Sequence, residues 1–152
     1  MALTNKTAVE ALETLLAQHS KNEIMSQIKV NRVSLAVKES LTFRDYVMGA
    51  LPLQGTESAI KVLSDILPLV DEGDRAPFYT ILSGYYYEIG DKELAFVSLT
   101  QAQILDPDYS LAKLLDRAFK AGWESNAFPE MRAQLHPKVS AELLSEPELV
   151  IA

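Results

Sequence analysis

The sequence contains no cysteine, only two histidines and only six glycines among 152 residues. The absence of cysteine excludes disulfide bonds, thiolate metal sites and a cysteine nucleophile. His19 and His136 are far apart in the chain and belong to no paired-histidine motif, so zinc has no recognisable ligand set. No glycine-rich phosphate loop is present. We therefore expect no catalytic residue, no metal site and no cofactor, and we do not expect an enzyme.

Long apolar runs and an excess of basic charge are also missing. No stretch approaches the roughly 18 consecutive apolar residues of a membrane helix, and Glu10 and Glu13 interrupt the first apolar segment, unlike a secretory signal. The net charge is −7, whereas nucleic-acid binding needs a basic surface. We expect a cytoplasmic, acidic protein that binds neither membranes nor nucleic acid. The acidic excess of residues 76–152 is either a solvated face or a surface for a basic or apolar partner.

Helical periodicity runs through most of the chain. The length and an apolar fraction of 48 % are typical of a single globular domain. Apolar residues spaced by three and four predict a first helix over 5–19, after a cap at Thr4 or Asn5. The stretch 23–39 also shows this spacing, but some of its apolar residues alternate, which allows a short strand. The pattern favours a helix there.

Local signals predict several further helix ends. Thr42 is expected to cap a short helix over 43–51, and Thr56 is expected to cap the next helix. Pro68 should end or kink that helix, because proline lacks the N–H that an inner helical position needs. Asp108 is expected to cap the helix that follows it.

Residues 76–107 resemble one tetratricopeptide repeat, which is a helix–turn–helix unit of 34 residues. Pro77 suits the first turn of a helix, and Gly90 and Asp91 form a tight turn between two helices. Small residues at two positions would let the helices approach closely. The eight repeat positions are Tyr79, Leu82, Ser83, Tyr86, Ala95, Leu99, Ala102 and Pro107.

The resemblance also suggests a binding face. In tetratricopeptide proteins one side of the first helix lines a concave groove that takes a peptide. Thr80, Gly84, Tyr87 and Glu88 occupy that side here, and they are our candidate partner-binding residues. A neighbouring helix that covers this face is the alternative. No Lys–Asn carboxylate clamp is present on it, so we do not expect capture of a C-terminal carboxylate.

The end of the chain departs from the repeat pattern. An amphipathic helix after residue 109 should cap the hairpin and stop at Gly122. A short helix should then end at Pro137, with His136 in a surface loop. The predicted division is an all-α domain over 1–135 and a C-terminal helix or tail over 136–152, either docked on the domain or mobile.

Two segments are similar to an actinobacterial family, domain of unknown function number 4192. They are NRVSLAVKESLTFRDYVMGAL (31–51) and RAPFYTILSGYYYEIGDKELAFVSLTQAQILDPDYSLAKLLDRAFKAG (75–122). The resemblance is to the C-terminal half of that family and implies a bacterial or bacteriophage origin, but no activity. We interpret Arg44 and Asp45 as a structural ion pair or helix cap rather than a functional pair. The matching elements are Arg44-Asp45, Gly90-Asp91, Asp106-Pro107-Asp108-Tyr109 and Leu111-Ala112-Lys113-Leu114-Leu115.

The sequence as a whole predicts a single all-α domain of eight to ten helices, built as stacked antiparallel hairpins with a tetratricopeptide-like pair. The leading functional hypothesis is a non-catalytic protein–protein interaction module, an adaptor or a binder of a host factor. The alternative is a self-associating structural subunit, for example a homodimer. A small-molecule binder or an enzyme with an unrecognised site is the minor alternative, and a deep polar pocket would favour it.

Overall fold

A computed structural model describes residues 3–145, with the backbone alone at position 144. These residues form eight α-helices and no β-strand, which confirms the all-α class. Short 3-10 turns cover Leu51–Gln54, Leu67–Leu69 and Glu72–Asp74. The α-helices are α1 (Asn5–Ser20), α2 (Gln27–Glu39), α3 (Leu41–Ala50), α4 (Thr56–Ile66), α5 (Ala76–Glu88), α6 (Lys92–Leu105), α7 (Ser110–Lys120) and α8 (Ala127–Ser145).

Hydroxyl side chains start the first two helices. The Thr4 Oγ1 atom accepts a hydrogen bond from the Thr7 N–H at 3.0 Å, and the Thr7 hydroxyl accepts one from the Thr4 N–H at 3.1 Å. This reciprocal pair is a capping box. Ser26 caps α2 through the N–H three residues later, at 3.3 Å. The helical interpretation of 23–39 is thereby confirmed for most of its length.

The predicted caps of α3 and α4 are wrong. Ser40, not Thr42, precedes α3, and its hydroxyl oxygen accepts a hydrogen bond from the Phe43 N–H at 3.1 Å. Thr42 therefore lies in the first turn. Gly55 precedes α4 with φ 103°, a conformation that favours glycine, and it leaves Thr56 as the first helical residue. In both places the backbone enters the helix one or two residues earlier than the sequence suggested.

The predicted hairpin over 76–107 is present as α5 and α6. The connecting turn places Gly90 at φ 84°, where glycine avoids the steric cost of a side chain. Asp91 caps α6, because its carboxylate accepts a hydrogen bond from the N–H three residues later, at 3.0 Å. Ser83 and Ala95 are buried small residues, which allows the two helices to lie close together.

The start of α7 differs from the prediction. Asp108 does not cap the helix; its carboxylate lies 3.6 Å from Lys113 Nζ. Asp106 organises the preceding turn instead, because its Oδ1 atom accepts a hydrogen bond from the Asp108 N–H at 3.2 Å. Gly122 follows the end of α7 at φ 72°, as expected for a helix stop.

The last helix is longer than the sequence suggested. The prediction that Pro137 ends a short helix is wrong, and so is the surface-loop position of His136, because α8 continues through both. A proline inside a helix costs about 3 kcal/mol. Packing of the second half offsets this cost, since Leu143 is fully buried and its carbonyl oxygen accepts a hydrogen bond from Asn5 Nδ2 at 3.0 Å.

The predicted division of the chain falls inside this helix. The boundary between 1–135 and 136–152 lies within α8, whose two parts pack on the same body. The last part of the predicted helix or tail, residues 146–152, lies outside the described residues.

Two apolar cores meet along α5, so the described residues form one domain. The larger core joins α1 to α5 and includes Leu143 of α8, and the smaller core lies between α5, α6 and α7. The largest fully buried side chains include Phe43, Phe78, Leu12, Leu15, Leu63, Ile66 and Ile81.

Candidate functional site

The last helix lies across the face of α5 that carries the candidate residues. It packs most closely on α3 and also contacts α5 and α1. Three kinds of contact fix it there: an aromatic cluster at its beginning, an ion pair to α5, and a histidine packed on α3. Together with α3, α5 and α7, it encloses a cavity.

The aromatic cluster surrounds the beginning of α8. The rings of Tyr87 and Phe119 are stacked, with centroids 4.3 Å apart and planes 2° apart. Phe128, in the first turn of α8, meets both rings edge-on at 5.6 and 6.1 Å. The Tyr87 hydroxyl donates a hydrogen bond to the carbonyl oxygen of Trp123, in the connection to α8. Edge-to-face and offset stacking are the favourable aromatic geometries, so this cluster positions the helix.

An ion pair joins α8 directly to the candidate face. Arg132 donates two hydrogen bonds to the Glu88 carboxylate, at 2.7 and 2.9 Å. The Glu88 side chain is only 3 % exposed, and that of Arg132 is 20 % exposed. A buried carboxylate needs such a partner because an unpaired buried charge is costly. Arg132 is therefore the main polar attachment of α8 to α5.

His136 packs against the backbone of α3. A Cβ atom added to Gly49 would lie 2.7 Å from His136 Cγ, so the imidazole fills the space that any side chain at position 49 would need. The Nδ1 atom is buried without a hydrogen-bond partner, and Nε2 lies 3.5 Å from the Ser140 hydroxyl. Burial lowers the pKa of His136, and the positive charge of Arg132 lowers it further. Both effects favour the neutral form of the imidazole.

The cavity enclosed by these helices has a volume of about 290 Å³ and is partly open to solvent. Its wall is mainly apolar. Half-exposed Met131 and Leu135, one turn apart on α8, lie at its edge. The other apolar lining residues include Met48, Ile81, Leu111, Leu115, Phe128 and Val139.

Arg44 and Asp45 form a second charged pair at the cavity wall. Arg44 donates to Asp45 Oδ1 through Nε at 3.1 Å and through Nη2 at 2.9 Å, which confirms the predicted ion pair. Its Nη1 atom donates to the Tyr109 hydroxyl at 3.4 Å. Burial opposes the charged form of Arg44, but the hydrogen bonds to Tyr109 and Asp45 outweigh this and raise its pKa. The pair links α3 to the beginning of α7.

The structure places the four predicted binding residues under other helices. Thr80, Gly84 and Glu88 line the cavity, and Tyr87 is buried in the aromatic cluster. The Thr80 hydroxyl donates to the carbonyl oxygen of Ala76 at 2.8 Å. This face is therefore covered, which is the alternative that the sequence left open. Their role in binding a partner stays a prediction.

Sequence reasoning missed the residues that α3 and α8 bring to the site. Arg132 and His136 come from a segment that the sequence divided at Pro137, and Gly49 comes from the end of α3. One signal could have found α8: Phe128, Met131 or Arg132, Leu135 and Val139 recur at helical spacing across the proline. No local signal places this stripe opposite Glu88.

Residues 2–125 match a protein family described as "Domain of unknown function (DUF4192)". The match covers more than half of the chain, so the chain belongs to this family. Neither the curated proteins nor the solved structures contain a match. The matched region ends before Ala127, so the family's domain supplies α3, α5 and α7, while α8 follows it.

The described residues give no support for a metal site or for a membrane-spanning helix. No group of three or more histidine, aspartate or glutamate side chains comes together there in a way that could hold a metal ion. No helix between residues 3 and 145 is long and apolar enough to cross a membrane.

Proposed function

We propose that this chain is a non-catalytic protein–protein interaction module that binds an amphipathic helix in the groove between α3, α5 and α7. The observation that carries the proposal is the position of α8, whose Arg132 pairs with Glu88 on the predicted binding face. The chain's own helix thus occupies the groove in the way that we expect of a partner helix.

The contacts of α8 fit this mode of recognition. Helices that bind in grooves present side chains at i, i+3, i+4 and i+7 to the groove. Phe128, Leu135 and Val139 have this spacing on α8 and line the cavity, and Arg132 on the same side meets Glu88. A partner helix should therefore combine an apolar stripe with one arginine or lysine. The net charge of −7 favours such a basic partner.

The attachment of α8 is suited to exchange. The residues that match the family end at 125, before α8 begins. Within α8, Pro137 removes one helical hydrogen bond, and the His136 Nδ1 atom is buried without a hydrogen-bond partner. An unpartnered buried polar atom costs about 1–3 kcal/mol. A partner without these defects would compete with α8, although α8 has the advantage of being attached to the same chain.

The test uses the chain's own helix as a probe. In the full chain, Arg132→Glu places two carboxylates together and should release α8 from Glu88. A fluorescent peptide of residues 126–145 should then bind this variant at least tenfold more tightly than the wild-type chain, as measured by anisotropy. The same peptide with Arg132→Glu is the matched control and should bind weakly, because it cannot pair with Glu88.

A charge-swapped chain completes the design. Glu88→Arg combined with Arg132→Glu restores the pair within the chain, so the wild-type peptide should again bind weakly. If hydrogen exchange shows that α8 is released in Arg132→Glu but the peptide does not bind, the groove does not recognise helices and the proposal is wrong.

Self-association is the second candidate function, favoured by the outer face of α6. Phe96 and Ile104 are 66 and 67 % exposed there, and exposed apolar patches mark interaction sites. Light scattering over a concentration series should give a dimer mass that Phe96→Ser with Ile104→Ser abolishes. Ile24→Ser, at an exposed residue before α2, is the matched control. A monomer mass at every concentration contradicts this candidate.

The proposal extends to the type of repeat, the origin of the protein and its cellular role. The likeness of α5 and α6 to a tetratricopeptide repeat supports a groove that takes a peptide. The resemblance in 31–51 and 75–122 supports a bacterial or bacteriophage origin, with the chain as the C-terminal half of its family. We propose that the protein acts in the cytoplasm as an adaptor or as a binder of a host factor.

A further inference from the structure

The cavity beneath α8 offers a second binding site, and it does not depend on the exchange of that helix. We infer that it binds a small, neutral, mainly apolar molecule of about a dozen non-hydrogen atoms. An apolar cavity of about 150 Å³ holds benzene, which has six carbon atoms. The cavity here has about twice that volume, about 290 Å³, and lies at the lower end of the range of ligand pockets.

The charges at the wall are already paired with one another. Glu88 is neutralised by Arg132, and Asp45 by Arg44, at distances of 2.7 and 2.9 Å. An anionic ligand would compete with a carboxylate for an arginine, and a cationic ligand would compete with an arginine for a carboxylate. Either would lose its own hydration on entering the cavity. A neutral ligand avoids both costs.

Two other polar side chains at the cavity donate hydrogen bonds within the protein, and the unpartnered His136 Nδ1 atom is buried. The Thr80 hydroxyl donates to a carbonyl oxygen of its own helix, and the Tyr85 hydroxyl donates to the carbonyl oxygen of Met48 at 2.8 Å. The His136 Nδ1 atom lies against Gly49, where solvent does not reach it. These polar side chains therefore leave the apolar surface to determine which ligand fits.

The wall can adapt to a ligand and admit it. Met48 on α3 and Met131 on α8 both line the cavity, and the flexible methionine side chain fills gaps of variable shape. Half-exposed Met131 and Leu135 lie where the cavity meets solvent, so a ligand can enter past them. Gly84 leaves free volume on α5, since a Cβ atom there would lie no closer than 3.9 Å to Leu115 Cδ1.

The methionines make the site directly observable. The chain has four methionines, and Met48 and Met131 line the cavity, whereas Met25 does not. We would label their methyl groups with ¹³C in the full chain and titrate it with 2-naphthol, which is neutral at pH 7. The Met48 and Met131 signals should shift and saturate together, while Met25 stays unchanged. 2-Naphthoate and 2-naphthylmethylammonium should bind at least tenfold more weakly.

Two substitutions at one position separate binding from folding. Gly84→Leu should fill the cavity and abolish the shifts, and Gly84→Ala should retain them. Leu111→Phe fills the cavity from α7 and replaces Gly84→Leu if circular dichroism shows that Gly84→Leu does not fold. Absent shifts with 2-naphthol, shifts that persist in a filled cavity, or equally tight binding of the anion would each overturn the inference. No peptide is added, so the outcome is independent of helix binding.

Discussion

Gly49 on α3 and His136 on α8 are packed so closely that position 49 has no room for a side chain. A Cβ atom at Gly49 would lie 2.7 Å from His136 Cγ and 3.0 Å from His136 Cβ. A change of rotamer can move the imidazole ring, but the Cβ atom keeps its position, so its 3.0 Å contact remains. A shift of α8 against α3 relieves both contacts. Gly49 therefore determines how closely the last helix approaches the domain.

Gly49→Ala should consequently destabilise the protein. Displacing a packed helix to fit an added methyl group costs about 1–3 kcal/mol, which exceeds the gain in helix propensity. Urea denaturation measures the change in the free energy of unfolding. Gly84→Ala is the matched control, because a Cβ atom there makes only an ordinary contact with Leu115, at 3.9 Å. It should be neutral or stabilise by about 0.5–1 kcal/mol.

Removing the opposing side chain tests the cause. In a background of His136→Ala the imidazole ring is removed and only the contact with the Cβ atom of residue 136, at 3.0 Å, remains, so Gly49→Ala should cost clearly less. An equal cost of Gly49→Ala in both backgrounds would show that the clash with His136 is not the reason.

The stability of the protein should fall in mild acid because of His136. Its pKa is lowered by burial and by Arg132, while the unfolded chain has a pKa of about 6.5. Between these two values the unfolded chain binds more protons than the folded chain. The contribution of His136 is therefore complete above about pH 6.5 and decreases as the pH falls to the folded pKa.

The groups around His136 do not reverse this sign. Arg132 lies on the same helix, and Tyr46 of α3 has its ring centroid 5.6 Å from the imidazole. Urea denaturation between pH 7.5 and 5 should show the decrease in the wild type and in His19→Gln, but a smaller slope in His136→Gln. The two variants each remove one of the two histidines. Equal slopes in both would assign the pH dependence to other groups.

The sequence was sufficient for the helices of the domain but not for the last one. Apolar spacing located α2 and the α5–α6 hairpin, because their stripes face neighbours that lie close in the chain. The continuation of α8 past Pro137 depends on distant partners: Leu143 and Asn5 are 138 positions apart. The proline predicts a helix end from the local sequence, whereas the packing that offsets its cost involves residues far away in the chain.

The candidate site shows the same limit. Thr80, Gly84 and Glu88 could be assigned to one face of a helix from their spacing alone, and they do lie together at the cavity. What covers them could not be predicted, because Arg132 reaches Glu88 from a helix 44 positions later. The prediction of Thr42 as a cap was wrong for a different reason. Ser40, two residues earlier, is also a hydroxyl residue that can cap a helix, and the tertiary fold decides which of them does so.

Removing one member of the Glu88–Arg132 pair should destabilise the protein more than replacing both members. Arg132→Met leaves the Glu88 carboxylate buried without a partner and should cost about 3 kcal/mol. Glu88→Met should cost less, because Arg132 is 20 % exposed and can remain hydrated. The double variant removes both charges and should be close to the wild type in stability.

A double-mutant cycle measured by urea denaturation checks this expectation. Hydrogen exchange should locate the loss of protection in α8 for Arg132→Met and restore it in the double variant. Additive effects of the two single substitutions would mean that the hydrogen-bonded pair contributes no coupling and does not hold α8.

Tyr87 should stabilise the connection to α8 through its ring more than through its hydroxyl. Tyr87→Phe removes only the hydrogen bond to the Trp123 carbonyl oxygen and should cost about 1 kcal/mol. Tyr87→Ala also removes the stack on Phe119 and the edge contact with Phe128, and should cost about 3–5 kcal/mol.

Trp123, the single tryptophan, reports the local effect because its ring centroid lies 5.8 Å from that of Phe128. Its fluorescence should be nearly unchanged in Tyr87→Phe and shift to the red in Tyr87→Ala, as the partly exposed ring becomes more hydrated. An unchanged spectrum in Tyr87→Ala would contradict the role of the aromatic cluster in holding the beginning of α8.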